Sequence, residues 1–280
     1  MKLCLGTAQI GIKGYGINNI TGGVVGSELF DILYQYNLNT IDTSCLYGDI
    51  ETVIRDYNKK DKLKIYTKIT SQQNLDSFLH NTKLSYVQGC YIHHFDDFQN
   101  NPAMYDVLQE CQRDGKVHDI GFSIYHEHEL EYILDNIKNI QIIQIPYNIF
   151  DRRFEKYFQQ LATQNIQINV RSCFMQGLIF KYDYDLQYER LNQRFSNKIQ
   201  KIRRICYNLN MSIAQLFYFF CELNEFISQV IIGHDSTKQL TYNVNKFTIT
   251  DEIYDHISDV MDSLLDLRED DLKILLAFTR

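Results

Sequence analysis

Asp42, Tyr47, Lys68 and His93 are the side chains of this sequence best suited to chemistry at a carbonyl oxygen. Asp42 closes the run Asn39-Thr40-Ile41-Asp42. Lys68 closes Lys64-Ile65-Tyr66-Thr67-Lys68, and His93 closes Cys90-Tyr91-Ile92-His93. Tyr47 follows the first run in the short segment Ser44-Cys45-Leu46-Tyr47-Gly48. Three successive strand-like runs thus end in an ionisable group, with a phenol just beyond the first. In a parallel barrel the strand ends converge on one face, where active sites sit. A phenol, an ammonium, a carboxylate and an imidazole meeting there would form a proton-donating site.

Alternating elements must position these groups. Strand-type runs occur at 2–7, 39–43, 63–69, 89–93, 118–124, 140–145, 167–172 and 229–233. Helix-type segments lie between them at 27–36, 49–59, 74–82, 103–114, 128–137, 153–164 and 191–223, with another at 237–246 after the last strand. This alternation predicts βαβ units on a parallel sheet. Eight units within about 250 residues predict a (β/α)8 barrel. Ser27 and Ser212 each precede an apolar stripe and read as helix N-caps. Residues 252–267 and 270–278 predict added C-terminal helices. With no Pro/Gly/Ser-rich linker, residues 1–280 read as one domain. The early glycines Gly11, Gly14, Gly16, Gly22, Gly23 and Gly26 follow a strand but open no helix, so they read as a loop and not a Rossmann fingerprint.

Composition narrows the function classes. The chain has 280 residues, 45% of them apolar, and a formal charge of −7. That acidic balance supplies no basic face for nucleic acid. The seven cysteines are odd in number, dispersed and without a C-x-x-C pair, which predicts a reduced, cytoplasmic protein. No signal peptide is visible. The most apolar helix-type stretch, 213–223, is too short to span a bilayer and carries Gln215 and Glu222. His126 and His128 form an H-x-H with no further ligand cluster, and read as a surface loop.

Taken in order, these motifs resemble the aldo-keto reductases. Leu5-Gly6-Thr7-Ala8 resembles the family's opening strand. Thr40-Ile41-Asp42-Thr43-Ser44 with Tyr47-Gly48 resembles its D-T-A-x-x-Y-G signature. Tyr66-Thr67-Lys68 and Tyr91-Ile92-His93 resemble the strands that deliver its lysine and histidine. Gly121-Phe122-Ser123, Gln144-Ile145-Pro146-Tyr147-Asn148 and Val230-Ile231-Ile232-Gly233 resemble its later cofactor strands. Y-G-D-x-E from Tyr47 to Glu51, and V-R-S-x-F-x-Q-G from Val170 to Gly177, resemble a short bacterial branch often found among genes for surface sugars.

The resemblance implies NAD(P)H-dependent reduction of an aldehyde or ketone, a small carbonyl substrate that is sugar-like by analogy with that branch. Tyr47 is then the proton donor. Lys68 would lower its pKa, because an ammonium beside a phenol favours the phenolate. Asp42 would anchor Lys68, and His93 would hold the carbonyl oxygen as an oxyanion hole does. Of the adjacent pair, the family pattern selects His93 and leaves His94 at the rim. Gly6, Thr7, Asp42, Ser123, Gln144, Ser172, Phe174 and Gly177 are the implied cofactor contacts near the nicotinamide. Ile124 follows Ser123 where an asparagine is frequent, so Gln144 is left to bond the carboxamide. Arg171 stands where many members stack a tyrosine, and a guanidinium can also stack on a ring.

Gly233, Lys238, Gln239 and Asn243 are the implied adenine-side residues. Lys238 and His234 face Asp235 there, so NADP(H) and NAD(H) are both expected as cofactors, with weak discrimination between them. Residues 181–194, rich in Tyr (182, 184, 188) and acids, would border the substrate. Two other readings follow from the same residues. One is a nicotinamide-binding regulatory or accessory subunit with little turnover. The other is a Schiff-base enzyme using Lys68, disfavoured because a neighbouring carboxylate keeps the amine protonated.

Overall fold

Short runs rich in Ile, Val and Tyr suit buried parallel strands, which need apolar side chains on both faces. Eight form in the computed structural model, which describes residues 1–12, 14–15, 26–180, 193–270 and 276. They are β1 (Leu3–Gly6), β2 (Thr40–Asp42), β3 (Lys64–Ile69), β4 (Val87–Ile92), β5 (Val117–Ser123), β6 (Ile142–Pro146), β7 (Gln167–Arg171) and β8 (Ile227–Gly233). Each pairs in parallel with the next, and β8 pairs with β1. The expected (β/α)8 barrel is the fold, with strand boundaries shifted by at most two residues.

Register places the polar groups. Gly6 lies opposite Asp42, Asp42 opposite Tyr66, and Lys68 opposite Tyr91. Side chains alternate along a strand, so Tyr66 shares a face with Lys68, and Tyr91 shares one with His93. Tyr66, Tyr91 and Ile142 pack as a buried cluster of their own. Gly89 makes room for it: a Cβ there would stand 2.3 Å from the Tyr66 ring. Asn169 donates to the Tyr91 hydroxyl at 2.6 Å.

The helices sheath this barrel, with some departures from the sequence reading. Ser212 caps helix Ile213–Glu222, accepting from the Gln215 N–H while Gln215 Oε1 accepts from the Ser212 N–H. Such a reciprocal box stabilises a helix start by about 1 kcal/mol. Ser27, expected as a cap, is the second residue of helix Gly26–Gln35. The segment 191–223 splits into Gln193–Asn208 and Ile213–Glu222, because Asn210 turns the chain with φ 49°. Only Phe158–Thr163 of the expected 153–164 helix is α-helical. Helix Phe95–Asn100 was not expected. Asp251–Leu265 forms as the added C-terminal helix. Gly16, Gly22, Gly23, residues 181–192 and most of 270–278 lie outside the described residues. No described helix is long and apolar enough to cross a membrane.

Candidate active site

The loop after β2 carries the phenol, and backbone contacts hold it. Thr43 N–H donates to Tyr66 O at 2.8 Å, and Thr7 N–H donates to Asp42 O at 3.0 Å. Tyr47 N–H closes a turn on Ser44 O at 3.0 Å. Two glycines let this loop lie against the turn Ala8–Gly11. A Cβ on Gly11 would come within 1.6 Å of Tyr47 O, and one on Gly48 within 2.2 Å of Gly11 O. Gly48 also has φ +53°, a left-handed conformation that glycine adopts without steric cost.

Asp42, Lys68, His93 and Tyr47 all line one cleft at the C-terminal ends of the strands, enclosing about 1030 Å³ including its open mouth. Asp42 and Lys68 are buried, 4% and 2% exposed, which makes their pairing obligatory. Lys68 Nζ donates to Asp42 Oδ1 at 2.5 Å and to Thr43 O at 3.1 Å. Gln144 Nε2 donates to Asp42 Oδ2 at 2.7 Å, and Ser123 Oγ donates to Gln144 Oε1 at 3.3 Å. One buried carboxylate thus joins β2, β3, β5 and β6. Lys68 Nζ stands 5.5 Å from the centroid of the Tyr47 ring, and among the described residues no hydrogen bond joins the two. The Tyr47 ring meets His93 edge-on, centroids 6.2 Å apart. His93 Nδ1 lies 3.0 Å from Ser44 Oγ.

The electrostatics differ from the sequence expectation at Tyr47. Its phenol is pushed well above the usual value, by burial first and then by the Asp42 charge, with Arg171 opposing. Burial outweighs any lowering by Lys68, whose ammonium is held by Asp42. Tyr47 therefore holds its proton firmly. Burial, then Lys68, His94 and Arg171, drive His93 down to about 2, so its imidazole is neutral at pH 7. His94, half-buried, stacks on His93 at 4.3 Å and does not line the cleft.

Most of the expected cofactor residues line the same cleft: Gly6, Thr7, Ser123, Gln144, Arg171, Ser172, Phe174, Gly177, Gly233 and Gln239. Arg171 lays its guanidinium on Tyr125, 4.1 Å from the ring centroid, and donates to Ile124 O at 3.1 Å. Lys238 is exposed on helix Thr237–Lys246 and does not line the cleft. Asn243 is buried and donates through Nδ2 to His234 Nε2 at 3.2 Å. His234 is itself buried, and burial takes it down to about 4. It is neutral at pH 7, so the cationic role expected of it beside the adenine is corrected.

The cleft residues Gln9, Tyr15 and Tyr125 were not anticipated. Tyr125 lies two residues beyond Ser123, a same-face spacing that could have identified it. Tyr15 reaches the cleft only through tertiary folding. His126 and His128 stack on each other at helix Glu127–Asn136, where Glu129 Oε2 accepts from His126 N–H at 2.9 Å.

The residues fit a nicotinamide dinucleotide. The buried Ser123–Gln144 pair offers amide partners. The positive φ angles of Ser172, Met175, Gln176 and Gly177 bend the β7 loop along the wall, and such backbone concavities suit phosphate. At the other end Asp235 and Gln239 flank the start of helix Thr237–Lys246, and a helix N-terminus attracts anions.

Comparison with known proteins agrees. A model of the Aldo/keto reductase family matches residues 2–262. An uncharacterized oxidoreductase of Bacillus subtilis (strain 168), YqkF, is 21% identical over 278 residues, covering 87% of this chain and 90% of that protein. The holo form of aldo-keto reductase AKR11C1 from Bacillus halodurans superposes with a TM-score of 0.73 at 18% identity, over 92% of this chain and 91% of that one. The glycerol dehydrogenase AKR11B4 from Gluconobacter oxydans gives 0.70 at 16% identity, over 94% and 92%. With the family's pattern matched across nearly the whole chain, this protein belongs to the aldo/keto reductase family of NAD(P)H-dependent oxidoreductases.

Proposed function

We propose that this chain reduces the carbonyl of a small polyhydroxylated aldehyde or ketone, with Tyr47 as proton donor and either NADPH or NADH as reductant. The observation that carries this reading is the convergence of Asp42, Lys68, His93 and Tyr47 on one cleft. When bound, the nicotinamide supplies the hydride. The chain's own groups manage the oxygen. Hydride addition leaves negative charge there, and neutral His93 can offer one N–H to it. Tyr47 retains its proton until that charge develops. An alkoxide is much more basic than a phenolate, so even a phenol with a raised pKa transfers its proton downhill. Lys68, held by Asp42, places a positive charge near the resulting phenolate.

A polyhydroxylated substrate accords with the tyrosines around the cleft and with the glycerol dehydrogenase among the structural neighbours. A regulatory subunit would have no need of a proton donor held in the cleft, which favours turnover. We read the chain as one domain, and its seven free cysteines as suited to the reducing cytoplasm.

Tyr47→Phe tests the assignment. Following NADPH consumption over a panel of aldehydes, kcat should fall by at least about 10²-fold, the scale of a lost general acid. The Kd for NADPH should hardly change. Turnover by Tyr47→Phe at the wild-type rate would exclude Tyr47 as the donor.

A further inference from the structure

Ser44 stands where the family signature carries alanine, and it makes two bonds an alanine could not make. Its side chain is fully buried. Leu46 N–H donates to Ser44 Oγ at 3.2 Å, and His93 Nδ1 lies 3.0 Å from the same oxygen. A hydroxyl has one proton to give and two lone pairs to accept with. The Leu46 amide can only donate, so it occupies a lone pair. If Nδ1 also carried a proton, it would occupy the other. Among the described residues, the buried Ser44 proton would then have only the neighbouring Cys45 sulfur, a weak acceptor beside it. If Nδ1 is bare, the hydroxyl donates to it and every group is satisfied. Leaving a buried donor unmade is the costlier arrangement.

We propose that Ser44 donates to His93 Nδ1 and thereby fixes the imidazole proton on Nε2, making Ser44 a positioning residue for the reaction. The proposal rests on the reading of His93 as the carbonyl's partner. With Nδ1 bonded to the loop, Nε2 is the nitrogen left for the cleft that His93 lines. The neutral state of His93 makes the tautomer matter, since only one nitrogen carries a proton. The same bond ties β4's end to the loop bearing Tyr47, so donor and imidazole are oriented together.

The decisive measurement is NMR of the ring nitrogens in full-length protein labelled with ¹⁵N-histidine. The His93 signals are assigned by their loss in His93→Gln. Wild type should show a bare, hydrogen-bonded Nδ1 and a protonated Nε2. In Ser44→Ala the Nδ1 signal should move toward that of an unbonded nitrogen, and Ser44→Thr should restore it. A protonated Nδ1 in wild type overturns the proposal, as do identical His93 signals in wild type and Ser44→Ala. The wild-type spectrum decides even if Ser44→Ala fails to fold.

Kinetics add a readout that a structural role would not move. Ser44→Ala should lower kcat by about three- to tenfold, the scale of one neutral hydrogen bond, with the Kd for NADPH unchanged. In a His93→Gln background it should cost nothing further. An undiminished loss there would overturn action through His93. Full turnover by His93→Gln alone would instead overturn the reading of His93 as the carbonyl's partner, while leaving the tautomer measurement standing.

Discussion

Lys68→Met should destabilise the fold by about 3–5 kcal/mol, the usual cost of stranding one member of a buried ion pair. Methionine nearly matches the aliphatic stem, so little cavity opens and the effect is electrostatic. At the 2.5 Å separation of Nζ and Oδ1 the gross attraction is about 7 kcal/mol for an effective dielectric near 20. Part of that is returned, because lysine itself no longer has to be desolvated. Among the described residues the Asp42 carboxylate keeps only the Gln144 amide, at 2.7 Å on the other oxygen, and the Thr43 carbonyl loses its Lys68 donor. For a chain of this size Tm should fall by about 6–20 °C. The companion is the double variant Lys68→Met with Asp42→Asn, which removes both charges and leaves an oxygen for Gln144. It should recover most of the stability, to within about 2 kcal/mol of wild type, and still turn over no carbonyl substrate. Urea unfolding followed by circular dichroism measures both. A single variant within about 1 kcal/mol of wild type would refute a dry, obligatory pair. So would a double variant no more stable than the single.

Three further outcomes follow from the geometry. Gly11→Ala should lower kcat by at least about tenfold by displacing the Tyr47 loop, since its Cβ would meet Tyr47 O at 1.6 Å; wild-type kinetics in a folded variant would show that the loop's seat does not matter. His234 is depressed from 6.5 to about 4 when folded, so the unfolded chain binds its proton first and stability falls as pH drops through that window. The loss is about 3 kcal/mol by pH 4. It should vanish in His234→Gln when the two proteins are compared by urea titration at each pH, a difference that cancels the opposing trend from Asp151, which burial raises to about 6. Asp235 lines the cleft at the end we assign to the adenine, so NADPH should be preferred over NADH by less than about 100-fold, and Asp235→Asn should shift the ratio of their Kd values toward NADPH. An unchanged ratio would place the 2′-phosphate elsewhere.

The order of elements was legible because it is local. Strand-type runs such as Lys64–Ile69 and the helix-type segments between them betray their period within a few residues. Right-handed parallel crossovers then leave few topologies besides the barrel. Strand-end polar residues also announce which side chains will share a face, and Asp42, Lys68 and His93 meet there. Tertiary structure alone decided the rest. Gln144 reaches Asp42 across 102 residues of sequence, and Ser44 reaches His93 across 49. Whether Lys68 tunes Tyr47 depended on how deeply the phenol is buried. Whether His234 carries charge depended on how dry its surroundings are. Period and spacing are properties of neighbours along the chain, whereas the state of a proton depends on every charge and every missing water within reach in space.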